Sequence, residues 1–161
     1  MELPIPSHLR EYLTPQGSSN TEQEVRGVLR CPCGGETFRS AASNGCRLAV
    51  LTCPDCGRAL TLFDAEQQGW EGFVCGGRPL DRAAPMEKQV CPRCGADCFR
   101  AAVTVKSPGK HDFLELLRHG GTCSRTFDPG EWTDAFGALR ADLCCAACGE
   151  TLEGWLDVQT R

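Results

Sequence analysis

Four cysteine pairs constrain the fold of this chain more than any other feature of its sequence. Three pairs have the form Cys-x-x-Cys-Gly, and the fourth is the shorter Cys31-Pro32-Cys33-Gly34-Gly35. In the longer form both sulfurs converge on one side of a tight turn. The glycine permits the positive φ at which backbone N–H groups point at thiolates. The pairs are Cys31 and Cys33, Cys53 and Cys56, Cys91 and Cys94, and Cys145 and Cys148.

These pairs belong to two copies of one longer pattern. The segment "CPCGGETFRSAA" at 31–42 recurs as "CPRCGADCFRAA" at 91–102, and the copies align from Cys33 and Cys94 onward. The first copy lacks one residue between its cysteines. Its turn must therefore be tighter, and Pro32 contributes no N–H group to it.

Each cysteine pair with its tight turn is called a knuckle here. Each copy continues with a second knuckle between predicted strands. An apolar approach, Cys-x-x-Cys-Gly, and then alternating apolar and polar residues occur at both 47–64 and 138–157. Each copy is thus predicted to run knuckle, strand, strand, knuckle, strand. The strands are expected near 36–42, 46–52, 58–64, 97–105, 138–144 and 150–158.

The repeat also sets the expected boundaries along the chain. In the N-terminal arm, Thr21 and Glu24 have the spacing of a capping box and predict a short helix. In the second copy, "KHDFLELLRHGG" predicts one further helix. The expected units are an N-terminal arm at 1–28, a first cysteine-rich unit at 29–80, a linker at 81–87, and a second cysteine-rich unit at 88–161 with an insertion at about 106–137.

Thirteen of the 161 residues are cysteine, and their chemistry depends on the redox compartment. The N-terminus "MELPIPSHLREYL" lacks the apolar core of a secretory signal, and no apolar run is long enough to span a membrane. We therefore expect a cytoplasmic protein with reduced thiols. An odd cysteine count also fits poorly with complete disulfide pairing.

Metal binding is the expected use of these thiols, because a half of about 50 residues buries too little apolar surface to fold comfortably alone. Pairing the knuckles within each half gives two four-cysteine sites, which suit zinc. Iron in a rubredoxin-like site of four sulfurs is the alternative. The predicted ligands are Cys31, Cys33, Cys53 and Cys56 in the first half, and Cys91, Cys94, Cys145 and Cys148 in the second.

With these residues the chain resembles the zinc-ribbon group, over roughly 29–64 and 88–158. The resemblance implies a small, mainly-β fold of tandem zinc ribbons with short helices. Each ribbon would be a three-stranded antiparallel sheet around one zinc ion, giving two per chain. The sequence after the first Cys-x-x-Cys-Gly resembles bacterial double zinc-ribbon proteins of unassigned activity, through "LFD" and then "GWEGFVC". That likeness implies a prokaryotic cytoplasmic protein.

We expect the first site to be the weaker and more exchangeable of the two, because its knuckle is shorter. No enzyme is expected, since four protein ligands leave no open position on a metal. The chain also contains no P-loop, dinucleotide fingerprint or His-x-Glu motif.

Two segments rich in aromatic and acidic residues, 62–77 and 126–137, form a candidate interaction surface. Aromatic anchors rimmed by polar residues mark protein interfaces, although such aromatics also cap small sheets. We therefore expect a protein–protein interaction module, and the oligomeric state stays open. The candidate surface residues are Phe63, Asp64, Trp70, Phe73, Trp132 and Phe136.

The net charge of −4 argues against non-specific binding to nucleic acid, which requires a basic surface. Two zinc sites of four thiolates each would take the charge to about −8. A nucleic-acid or transcription-associated ribbon remains the alternative, with a stripe of Arg39, Arg47, Arg58 and Arg100. A redox- or metal-responsive switch is a weaker alternative. It would use Cys46, Cys75, Cys98, Cys123 and Cys144, which otherwise are expected to be small packed residues.

Overall fold

The computed structural model describes residues 1–69, 79–119 and 127–160. Within these ranges the chain is mainly β-structure, as predicted, and contains one α-helix. The strands are β1 (Leu13–Pro15), β2 (Glu24–Leu29), β3 (Phe38–Ser43), β4 (Leu48–Thr52), β5 (Ala59–Asp64), β6 (Glu87–Lys88), β7 (Cys98–Lys106), β8 (Ala138–Cys145) and β9 (Thr151–Gln159). The helix is α1 (Lys110–Arg118), and 3-10 turns lie at Ser7–Leu9 and Pro129–Glu131.

Six of these strands form the body of one antiparallel sheet. The first half of the repeat contributes β3, β4 and β5, and the second half contributes β7, β8 and β9. Their order across the sheet is β5-β4-β3-β7-β8-β9, so corresponding strands lie at equal distances from the β3–β7 junction. The sequence predicts tandem ribbons and leaves open whether they pack together; in the structure the two halves share one sheet.

The junction between the halves pairs equivalent residues of the repeat. Phe38 lies opposite Phe99, and Arg39 lies opposite Cys98. Since the two phenylalanines occupy the same position in the repeat, this register is the one that an approximate two-fold axis between them produces. Both phenyl rings are fully buried, so the junction forms part of the core.

The strand that precedes the first knuckle of each half pairs with the other half. The strand β2, which ends two residues before Cys31, pairs with β7, for example through Val28 and Ala102. The strand β6 lies before the first knuckle of the second half and pairs with β3, for example through Lys88 and Ala41. Ala41 and Ala102 are equivalent in the repeat, so the two halves exchange their leading strands.

One face of the sheet carries the main core. Along β7, every second side chain from Phe99 to Val105 is buried, as the two-residue period of a strand requires. The N-terminal arm adds Leu9 and Tyr12 to this core. The arm is fixed to the second half by Ser7 Oγ, which donates a hydrogen bond of 2.8 Å to Asp134 Oδ1.

A second, smaller core belongs to the insertion between β7 and β8. Helix α1 lies in the insertion, where a helix was predicted, and it buries Phe113 against Phe127 with ring centroids 5.9 Å apart. Trp132 and Ala135 complete this cluster. The insertion is therefore a packed structural unit in its own right.

The helix predicted from Thr21 and Glu24 is wrong. Thr21 Oγ1 does accept a hydrogen bond of 3.1 Å from the N–H of Glu24, as a helix N-cap would. The residues that follow are nevertheless extended as β2, because β1 and β7 pair with this strand on its two sides. Those neighbours satisfy backbone N–H and C=O groups that a helix would have paired internally.

Candidate metal centres

The four predicted ligands of the first half lie together. Cys31 Sγ is 3.5 Å from Cys56 Sγ, and Cys33 Sγ is 3.6 Å from Cys53 Sγ. All four sulfurs lie within 4.8 Å of one another. A tetrahedral ion with metal–sulfur bonds of about 2.3 Å holds its sulfurs about 3.8 Å apart. The group therefore has the dimensions of a metal site with four sulfur ligands.

The second half repeats this arrangement. Cys91 Sγ is 3.5 Å from Cys148 Sγ, and Cys94 Sγ is 3.6 Å from Cys145 Sγ. These four sulfurs also lie within 4.8 Å of one another. Both groups thus have dimensions that fit a tetrahedral metal ion, and each half of the repeat contains one such group.

Each group combines two buried and two exposed cysteines. The buried residues belong to the same hydrophobic cluster as Phe38 and Phe99, so both metal centres rest on one core. The exposed cysteines form the solvent side of each site. The buried ligands are Cys31, Cys53, Cys91 and Cys145, and the exposed ligands are Cys33, Cys56, Cys94 and Cys148.

The three long knuckles share one backbone conformation. In the knuckle of Cys91, the N–H of Gly95 donates to the carbonyl of Cys91 at 2.8 Å, and the N–H of Cys91 donates to the carbonyl of Ala96 at 2.7 Å. The same two bonds recur in the knuckles that begin at Cys53 and Cys145. Gly95 has φ of +77°, which explains the glycine of the motif.

The short knuckle closes the same loop with one residue fewer. The N–H of Gly34 donates to the carbonyl of Cys31, and the N–H of Cys31 donates to the carbonyl of Gly35, both at 2.8 Å. Gly34 has φ of +97°. A Cβ added to Gly35 would lie 2.9 Å from Cys53 Sγ and 3.0 Å from Asp55 Oδ2. The repeat-equivalent residue is Ala96, so the short turn is what forbids a side chain at Gly35.

Backbone N–H groups make one thiol of each group acidic. The N–H of Arg58 donates to Cys56 Sγ at 3.5 Å and lowers the pKa of that thiol to about 7. In the second group, the N–H groups of Cys148 and Ala147 lower the pKa of Cys145 to about 6, against the opposing effect of burial. These thiols ionise readily, which favours metal binding.

Other thiols hold their protons in the absence of a metal. The N–H of Cys33 lowers the pKa of Cys31, but burial and the neighbouring thiols outweigh it and raise the pKa to about 12. The N–H of Glu150 acts likewise on Cys148, whose pKa nevertheless rises to about 12 because of burial and the Cys91 thiol. A metal ion bound at either site must therefore displace protons.

Strand alternation separates the adjacent cysteines Cys144 and Cys145. Cys145 lies opposite Phe99 and faces the core, where it joins the second group. Cys144 lies opposite Arg100, so its side chain is on the other face. Its Sγ is 3.6 Å from the carbonyl of Gly149. Cys145, which forms the Cys-x-x-Cys-Gly motif with Cys148, is thus the one of the two that joins the second group.

Two further thiols lie outside the metal groups. Cys46 Sγ donates to the carbonyl of Trp155 at 3.5 Å, which links the β3–β4 turn to β9. Burial raises the pKa of Cys46. Burial and the Asp97 carboxylate likewise raise the pKa of Cys98. Cys46 and Cys98 are therefore neutral thiols, which are poor nucleophiles. Cys75 and Cys123 lie outside the described residues.

The candidate interaction surface is wrong for the four of its residues that the structure describes. Phe63, Asp64, Trp132 and Phe136 are each at most 3 % exposed. Phe63 and Phe136 pack on each other at 6.5 Å within the main core, while Trp132 belongs to the cluster of the insertion. These aromatics supply core that the small sheet lacks. Trp70 and Phe73 lie outside the described residues.

Asp64 is buried because it holds a loop in place. Arg82 donates to both carboxylate oxygens of Asp64, at 2.8 and 3.2 Å, and to Glu66 Oε2 at 2.8 Å. The hydrogen bond from Arg82 to Glu66, with another from the N–H of Leu80, lowers the pKa of Glu66. The acidic pair thus ties the end of β5 to the segment before β6.

The sheet face opposite the core carries charged side chains of both signs. On the second half they line a groove of about 540 Å³. Arg26 Nε lies 2.7 Å from Glu24 Oε1, and Arg140 Nε lies 3.2 Å from Asp142 Oδ1. The groove residues are Arg26, Thr104, Lys106, Ala138, Arg140, Asp142, Asp157 and Gln159. We call this face the outer face.

The predicted arginine stripe is only partly assembled. Arg39 and Arg100 follow the buried Phe38 and Phe99, so both lie on the outer face beside the junction. Arg58 instead lies 3.7 Å from Glu11 of the N-terminal arm, and Arg47 precedes β4 in a turn. Arg39 itself is paired with Asp97 at 3.4 Å.

Comparisons with models of known protein families, with curated proteins and with solved structures found no match. Among the described residues, α1 and the short 3-10 turns are the helical elements, and none is long and apolar enough to cross a bilayer.

Proposed function

We infer that the protein is a non-enzymatic zinc-binding protein whose two four-cysteine sites are structural. The observation that carries this proposal is the convergence of eight thiols into two groups, in each of which two sulfur pairs are 3.5 to 3.6 Å apart and all four sulfurs lie within 4.8 Å of one another. Four thiolates saturate a tetrahedral zinc ion, whereas catalytic zinc keeps one position for water or substrate. The chemistry that zinc supplies here is cross-linking: it ties each knuckle pair to the shared core.

We prefer zinc to iron because four cysteines in paired knuckles of this spacing are the usual ligand set of structural zinc. Reduced thiols are required for either metal, which favours a cytoplasmic location. Elemental analysis of the purified chain distinguishes the two metals, and two iron ions per chain would contradict the assignment.

The outer face is the surface that we assign to a partner, and the partner is another protein. Its cations lie beside carboxylates, as in the pairs of Arg26 with Glu24 and of Arg140 with Asp142 and Asp157. Interleaved charges of this kind match a protein surface with complementary charges. A phosphate backbone would instead meet Glu24, Asp142 and Asp157 as repulsive charges, on a chain of net charge −4.

A nucleic-acid-binding ribbon is the second candidate, because Arg39 and Arg100 lie together on the outer face. Fluorescence titration with labelled single- and double-stranded DNA and RNA at low salt decides between the two. If the partner is a protein, we expect no saturable change with any of these nucleic acids. Binding that weakens steeply with added salt would favour the nucleic-acid function.

The partner surface is tested by reversing one charge on the outer face. Cross-linked complexes are isolated from cells expressing the wild-type chain, Arg140→Glu or the control Arg118→Glu. Arg118 carries the same charge on α1, where it pairs within the helix with Glu115. We expect the captured set to lose members with Arg140→Glu and to stay unchanged with Arg118→Glu. Equal captured sets for all three, with two zinc ions retained, would refute this surface.

A further inference from the structure

The exchanged strands place each metal ligand next to the other half of the protein. Only Arg30 separates the end of β2 from Cys31, and β2 is paired with β7 of the second half over five residue pairs. Gln89 and Val90 separate β6 from Cys91, and β6 is paired with β3 of the first half over two residue pairs. Each first knuckle is thus continuous with a strand that belongs to the opposite side of the sheet.

A second connection runs directly across the junction. Thr52 precedes Cys53 and lies opposite Arg39 of β3. Phe38, the neighbour of Arg39 in the chain, lies opposite Phe99 of β7. Phe99 in turn lies opposite Cys145. The two metal groups are therefore linked by three successive strand pairings, about 14 Å along the sheet. The buried ligands of both groups also share one hydrophobic cluster.

We propose that the two zinc sites are energetically coupled through the exchanged strands, so that zinc at one site raises the affinity of the other. This inference rests on the proposed zinc binding. Loss of zinc from the first site frees the turn at 31–35, and with it the register of β2 on β7. The strand β7 starts at Cys98 and positions Phe99 against Cys145, so the second site loosens. Thermodynamic linkage makes the effect on affinity the same in the reverse direction.

The structural consequences of losing each zinc are unequal, although the coupling of affinities is reciprocal. The first site anchors the longer exchanged strand, with β1 attached to its far side. The second site anchors only the two residues of β6. Hydrogen exchange should therefore rise more in β7 when the first site is emptied than in β3 when the second site is emptied.

The test compares the overall zinc-binding constant of the wild type with the zinc-binding constants of two variants that each keep one intact site. Zinc affinities of the full chain are measured by competition with a chromophoric chelator for the wild type, Cys56→Ser and Cys148→Ser. Both substituted cysteines are exposed, so serine leaves the core intact. Independent sites predict that the wild-type overall constant equals the product of the two single-site constants. Coupling predicts that it exceeds the product at least about fivefold. Equality within about twofold would overturn the proposal.

A further variant keeps all eight ligands and disturbs only the exchanged strand. Val28→Pro removes one N–H from β2 and fixes its φ, which disrupts a strand inside a sheet. Coupling predicts that this variant weakens zinc binding at the second site, to which β2 contributes no ligand, at least about fivefold. The control Phe113→Leu lowers stability through the separate cluster of the insertion and should leave the affinity of the second site unchanged.

Val28→Pro decides the matter if a cysteine variant fails to fold. A wild-type affinity at the second site in Val28→Pro would refute coupling through β2. A wild-type chain that binds no zinc would instead contradict the proposed function itself. Two zinc ions bound with no excess over the single-site product would refute the coupling alone.

Discussion

Gly35→Ala tests whether the shorter first knuckle limits its metal site. The backbone of Gly35 is outside the positive-φ region, so alanine is sterically acceptable to the main chain itself. The added Cβ would lie 2.9 Å from Cys53 Sγ, 3.0 Å from Asp55 Oδ2 and 3.5 Å from Cys33 Sγ. Ordinary contact distances are about 3.5 to 4.0 Å, so the Cys53 sulfur must move by at least about 0.6 Å.

That movement exceeds what a metal–sulfur bond tolerates, which is roughly 0.2 Å. Forcing a methyl group into a packed site typically costs about 1 to 3 kcal/mol. Because about 1.4 kcal/mol is tenfold in an equilibrium constant, zinc at the first site should bind roughly 5- to 150-fold more weakly. The expected loss is specific to the first site at the level of direct contact, since the methyl group touches two of its ligands.

The assay is zinc competition followed by alkylation of freed thiols and peptide mapping. Cys33 and Cys56 should become reactive at lower chelator concentration in Gly35→Ala than in the wild type. The matched control is Ala96→Gly, which puts the first-site residue into the second knuckle. It removes a methyl group and costs about 0.5 to 1 kcal/mol, at most about fivefold. An unchanged first-site affinity in Gly35→Ala would refute the steric account of the short turn.

Three other measurements probe the order of metal release, a buried ion pair and a buried histidine. In the wild type, a chelator should expose Cys33 and Cys56 to alkylation before Cys94 and Cys148, because the knuckle of Cys31 and Cys33 is one residue shorter than that of Cys91 and Cys94; the reverse order would show that the short knuckle is not the weaker one. Asp64→Ala should lower the free energy of unfolding by about 1 to 3 kcal/mol, because it leaves Arg82 without its buried acceptor. The control is Glu115→Ala, which breaks the exposed ion pair with Arg118. Equal urea midpoints for the two variants would contradict the prediction. His8 Nε2 lies 3.0 Å from the carbonyl oxygen of Leu62, to which it donates a hydrogen bond. Burial lowers the pKa of His8 from its ordinary value of 6.5, against the opposing effects of the Leu62 carbonyl and the Asp134 carboxylate. The unfolded chain therefore takes up the proton first, and stability should fall as the pH drops below about 6.5. Urea unfolding at pH 7.5 and 5.5 should show a smaller loss for His8→Gln than for the wild type, and an identical loss would exclude His8 as a source of acid sensitivity.

Local signals in the sequence are sufficient for the six strands of the repeat and for the two cysteine groups, but not for β1, β2 and β6. Alternating residues and knuckle spacing act over fewer than about ten positions, and the strands β3–β5 and β7–β9 lie within two residues of where they were expected. The motif spacing assigns Cys145 rather than Cys144 to the second group, in agreement with the side of β8 on which each residue lies.

Pairings between strand edges could not be predicted, because backbone hydrogen bonds carry no residue code. The junction of Phe38 with Phe99 and the exchange of β2 and β6 depend on such bonds. The internal repeat shows that the two halves have related structures, but it does not show which of their strands pair with each other. The helix predicted from Thr21 is wrong for a related reason. A hydrogen bond from the N–H three residues on to a threonine side chain begins turns as well as helices.

The aromatic segments show a further limit of a one-dimensional pattern. Phe63 and Trp132 have polar neighbours in the sequence, as interface anchors do, yet both are buried. Each is covered by chain that is distant in sequence: Phe63 by Phe136, and Trp132 by α1 and its neighbours. Which aromatic is covered is decided by tertiary packing.

The central claim is that two four-cysteine zinc sites hold one shared sheet together. Native mass spectrometry with elemental analysis of the full chain tests it most directly. We expect two zinc ions per wild-type chain and one in each of Cys53→Ser and Cys148→Ser, in which one site has lost a ligand. A wild-type chain that carries no metal and has its knuckle cysteines joined in disulfides would contradict it.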